Sequence, residues 1–99
     1  GRPIPPKADT GVVEFIALEN EPYVVYLEGF VIAQLMPGDG KAKAKLEVGR
    51  HTIEIWDGDT MTPRYKGVAL VEKDLTVRVQ FSDAVAPTSP ARHWAWSPR

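Results

Sequence analysis

The sequence predicts an all-β chain folded as a small antiparallel sandwich, and three observations carry that prediction. Apolar and polar residues alternate with period two over several short segments, most clearly across residues 41–56. β-branched and aromatic residues fill those segments, and Gly, Pro, Asn and Asp interrupt them at intervals of about 8 to 12 residues. No segment carries the apolar spacing of an amphipathic helix.

Residues 1–10 form a proline-rich arm, because Pro3, Pro5 and Pro6 remove backbone donors and favour extended geometry. Residues 12–18 are β-branched and aromatic and read as the first strand, ended by the turn formers Glu19-Asn20-Glu21-Pro22. Residues 23–27 and 30–35 follow as a hairpin, provided Gly29 in the Glu28-Gly29 linker takes positive φ. Met36-Pro37-Gly38-Asp39-Gly40 cannot continue a ladder and is expected as a surface loop.

Residues 41–48 and 51–56 flank Gly49-Arg50 and are expected to pair as a second hairpin. Its inward face would hold Ala42, Ala44, Leu46, Val48, Ile53 and Ile55, with Lys41, Lys43, Lys45, Glu47, Thr52 and Glu54 outside. Residues 57–64 read as a long polar connection, the kind of loop that carries binding groups. Residues 68–72 and 75–81, joined at Lys73-Asp74, are expected as a last hairpin that buries Leu75, Val77, Val79 and Phe81. Seven strands so spaced imply an immunoglobulin-like sandwich over residues 11–82, followed by a Pro- and Trp-containing tail, residues 83–99.

At 99 residues the chain has room for one small domain, and 43% hydrophobic with 25% charged residues excludes wholesale disorder and collagen-like classes. A formal charge of -1 supplies no global field for nucleic acid or anionic membrane, so nucleic acid is not an expected partner. Apolar runs fall far short of the roughly 20 residues needed to span a bilayer, so no direct membrane insertion is expected. Cysteine is absent, which removes disulfides and thiolate metal sites and leaves both redox compartments open. An opening Gly1 in place of Met is what a processed or excised segment would show.

Trp94 and Trp96 are two apart, so an extended backbone would set both indoles on one side, with Arg92 close by. That arrangement can stack on sugar rings or dock in a partner; the alternative is that the tail covers an edge or face of its own domain. Trp56 is a further member of a possible sugar platform. Lys41, Lys43 and Lys45 form a ladder with steps of about 7 Å, suited to acidic ligands or to guarding an exposed strand against pairing. His51 is expected as a packed or hydrogen-bonded residue at a strand start, and His93 carries no signal.

Asp57, Asp59 and Asp39 offer oxygens for Ca²⁺, but no complete calcium loop is present, so neither a metal nor a cofactor is expected. No nucleophile stands beside a base, and Ser82, His51 and Asp83 form no sequence motif, so catalysis is not expected.

Val24-Val25-Tyr26-Leu27-Glu28-Gly29, the signature of Leu46, Gly49, His51, Ile53 and Ile55, and Val77-Arg78-Val79-Gln80-Phe81 together resemble the PEGA domain. The resemblance spans about residues 21–81 and implies an immunoglobulin-like module of bacterial envelope or secreted proteins, outside the cytoplasm, with no common catalytic residues. The expected function is therefore that of an accessory module binding a protein partner, or a further copy of itself, through strand edges and the Trp tail. Two alternatives stand beside it: a carbohydrate-binding module with a Trp platform, and a structural subunit that assembles by exchanging terminal arms.

Overall fold

The computed structural model describes residues 9–83, 87 and 95–98, the last four by their backbone. Eight strands follow one another: β1 (Thr10–Ala17), β2 (Tyr23–Leu27), β3 (Phe30–Leu35), β4 (Lys41–Glu47), β5 (Gly49–Asp57), β6 (Thr62–Val71), β7 (Thr76–Phe81) and β8 (Ala95–Pro98). They form two sheets, ordered β4-β1-β7 and β3-β2-β5-β6-β8. The chain is thus an all-β sandwich, and no helix long and apolar enough to cross a membrane is present among the described residues. Every neighbouring pair is antiparallel except β1 with β7.

The β2–β3 hairpin is as expected, with Glu28 at φ 49° and Gly29 at φ 89° in the mirror-image turn that matches strand twist. The other two expected hairpins are not formed. β4 pairs with β1, while β5 pairs with β2 and β6, so the chain crosses between sheets at Val48-Gly49, where Gly49 has φ 132°. Likewise β6 and β7 belong to opposite sheets. Period-two alternation sets which side chains face inward, but facing strands of two sheets satisfy it as well as neighbours in one.

Both crossings expose a residue expected inside: Val48 is 44% and Leu75 50% accessible. The polar connection is also shorter than expected, since β5 runs to Asp57 and β6 starts at Thr62. β8 is a strand that the tail's composition did not announce.

The core lies between the sheets. Val13, Phe15, Val79 and Phe81 from one sheet meet Tyr23, Val25, Leu35, Ile53, Ile55, Ala69 and Val71 from the other. Ala44 and Leu46 join them, as the alternation of β4 requires. Where β1 enters, Gly11 runs so close to the β6–β7 turn that a Cβ there would meet the carbonyl oxygen of Glu72 and lie 2.8 Å from Val71 Cγ1. The absent side chain lets the two sheets close at this corner.

Candidate functional site

At one end of the sandwich three separate segments bring carboxylates together. Tyr23 and Asp57 are register partners on the inner face of β2 and β5. Just before β2, the Pro22 carbonyl accepts a hydrogen bond from Gly58 N at 2.9 Å, and a Cβ on Gly58 would stand 2.9 Å from Pro22 Cβ. This tight passage sets Glu21 beside Asp57. Asp83 arrives from the end of β7, and one carboxylate oxygen of each residue lies within 4.8 Å of the others.

The sequence around Asp57 organises its carboxylate. Oδ1 accepts from the Asp59 and Thr60 amides at 2.8 and 3.1 Å, closing the loop as an Asx turn. A bulge in β6 leaves Arg64 without a ladder partner, between Tyr65 opposite Ile55 and Pro63 opposite Trp56. Its guanidinium donates to Asp57 Oδ2 at 3.2 Å and reaches Asp83 Oδ1 at 3.5 Å. The Thr60 and Asp59 amides and Arg64 hold the Asp57 carboxyl below its ordinary range despite its burial. Glu21 moves the other way, raised by a hydrogen bond with Asp83 and by the repulsion of that carboxylate.

Two tyrosines back the cluster. Tyr65 donates its hydroxyl to the Ser82 carbonyl at 2.6 Å, tying the exit of β7 to β6. Tyr23 packs edge-on against Phe81 at 4.8 Å and is 1% accessible. Burial pushes its phenol well up, with the charges of Asp83 and Glu21 adding to the effect. Its hydroxyl lies near the Asp83 main chain, which opposes that rise, and among the described residues no acceptor stands within hydrogen-bond distance of its proton.

The residues singled out in the sequence lie elsewhere. Lys41, Lys43 and Lys45 project from β4, an edge strand of the three-stranded sheet, onto its outer face. There Lys43 approaches the buried carboxylate of Glu14 at 3.8 Å, opposite Arg78 at 3.1 Å. Trp56 is half-buried on the outer face of the five-stranded sheet, 5.3 Å from Tyr26 with the rings tilted at 59°. Its Nε1 is buried without a partner.

Trp96 lies in β8 at the register position opposite Gly67; Trp94, Arg92 and His93 lie outside the described residues. His51 Nε2 contacts the Glu47 carbonyl at 2.6 Å, the structural role expected of it. On β5 it stands six residues from Asp57, roughly 20 Å along a strand, so it does not meet Ser82 or Asp83.

Glu21, Arg64 and Tyr23 were missed in the sequence because nothing local links them. The one available signal was Asp57 with Asp59 on a short loop, which the fold completes with residues far along the chain. No family model, no curated protein and no solved structure matches this chain.

Proposed function

We propose that the chain is a non-catalytic interaction module that works by strand addition, taking an extended segment of a protein partner or of another copy onto the border of β6 that faces away from β5. The observation that supports this reading is β8, in which residues 95–98 lie antiparallel along β6 from Val68 to Tyr65. The chain's own tail therefore occupies the place of such a ligand. The pairing is short, and Pro98 contributes no amide donor, so a longer strand with a full set of donors would compete well. β6 also continues past β8 through Ala69–Val71, which offers further backbone to an incoming strand.

The resemblance to PEGA modules fits an accessory role in a bacterial envelope or secreted protein. A glycan platform is the second reading, favoured by the contact of half-buried Tyr26 and Trp56 on one sheet face. The test removes residues 84–99 and titrates a peptide of residues 92–99 into the folded remainder. Strand addition predicts saturable binding with amide shifts centred on residues 65–68. A folded remainder that ignores the peptide, with Trp56 emission quenched by oligosaccharides, would move the assignment to the glycan reading.

A further inference from the structure

We propose that the end of the sandwich where Glu21, Asp57 and Asp83 converge is a binding site for a divalent cation of the calcium type. The proposal is independent of strand addition and concerns a different end of the molecule from the β4–β5 crossing.

Geometry is the first support. The three carboxylate oxygens lie within 4.8 Å of one another. Oxygens on opposite sides of a calcium ion are about 5 Å apart, since each sits about 2.3 to 2.6 Å from the metal. The cluster can therefore close around such an ion by side-chain rotation alone. Three carboxylates from three segments also give the hard, anionic oxygen set that Ca²⁺ takes, and Asp83, the exposed member, leaves a solvent side for the remaining ligands.

The second support is Tyr23. A buried hydroxyl without a partner costs roughly 1 to 3 kcal/mol, so its retention asks for an explanation. It is 1% accessible, sits opposite Asp57 in the ladder and lies near the Asp83 and Glu21 carboxylates with no acceptor for its proton among the described residues. A water carried by the ion would supply the missing acceptor.

Arg64 does not close the site. Its side chain is 42% accessible and its approach to Asp83 is 3.5 Å, longer than its bond to Asp57. It can stay on Asp57 Oδ2, because a carboxylate oxygen accepts more than one partner, while the ion takes the facing oxygens.

The test uses the full chain in chelator-treated buffer, with Ca²⁺ titrated against thermal unfolding and by calorimetry. The expected result is a saturable rise in Tm with half-saturation at about 0.1 to 1 mM, in the range of extracellular modules, and a weaker rise with Mg²⁺. Asp83→Asn and, separately, Glu21→Gln should each weaken binding about tenfold, because affinity follows the charge count of the ligands. Glu28→Gln, in the β2–β3 turn, should leave the titration unchanged. Absence of a saturable rise at about 10 mM Ca²⁺ would overturn the proposal. So would a rise that survives undiminished in both Asp83→Asn and Glu21→Gln, which would place the ion elsewhere.

Discussion

The two sheets share one core but turn different outer faces to their surroundings. On β4-β1-β7 the outward positions hold Lys41, Lys43 and Lys45, with Arg78 across from them and Glu14 buried between. On the five-stranded sheet the outward positions of the central strands hold Val24, Tyr26, Trp56 and Val68 among Thr52, Glu54 and Lys66, and its edge strand β3 exposes Phe30 and Val31 at 76% and 48%. Edge protection follows the same division. β4 is guarded by lysines, whereas β3 carries no charge at all and relies on a bulge at Ile32 to bend it away from a flat template. The smaller sheet thus presents a charged outer face, and the larger one mixes aromatic and aliphatic side chains with a few charges.

The largest expected effect separates inner from outer residues of one strand. Ile55→Ala should cost about 2 to 5 kcal/mol in chemical unfolding, since Ile55 is fully buried between the sheets. Its half-buried neighbour Trp56, changed to Ala, should cost clearly less, and equal losses would show that the outer face is already packed in the isolated chain. Gly11→Ala comes next, at about 1 to 3 kcal/mol, because the new methyl has backbone rather than a flexible side chain in its way. A silent substitution would mean that the two sheets can separate at this corner without loss.

Smaller effects probe the charged face. Glu14→Ala should cost about 1 kcal/mol, since its carboxylate is buried but its partners Lys43 and Arg78 are both 65% exposed and solvent screens the pairs. Lys45→Ala should fall within about 0.5 kcal/mol of zero. Smallest of all in stability, also within about 0.5 kcal/mol, is Val31→Lys, yet it should lower concentration-dependent mass in light scattering if the β3 edge self-associates. Unchanged scattering would remove β3 from the list of contact surfaces.

Much of this architecture was legible in the chain. Strand positions, the Glu28-Gly29 reversal and the inward facing of Ala44, Leu46, Ile53 and Ile55 all follow from period-two patterning and turn chemistry. Pairing was not legible, because Gly49 supports a reversal within a sheet and a crossing between sheets equally well, and alternation is the same in both. The carboxylate cluster was hidden for a related reason. Glu21, Asp57, Arg64 and Asp83 meet only after β2, β5, β6 and β7 have found their neighbours, and the Arg64 bulge is a property of pairing that a single strand does not carry. β8 is not legible in the tail, since four residues ending in proline are too few to show a period.

The parallel pairing of β1 with β7 makes neighbours of strands far apart along the chain, Glu14 standing beside Arg78, 64 residues further on. Glu14 finds Lys43 on one side and Arg78 on the other, so β1, the earliest of these strands along the sequence, gains its second neighbour only once β7 has been made. Until residues 76–81 have emerged, its apolar side chains Val13 and Phe15 lack their neighbours Val77 and Val79. Contacts so distant along the chain slow folding and prolong the time that a nascent strand is open to wrong partners.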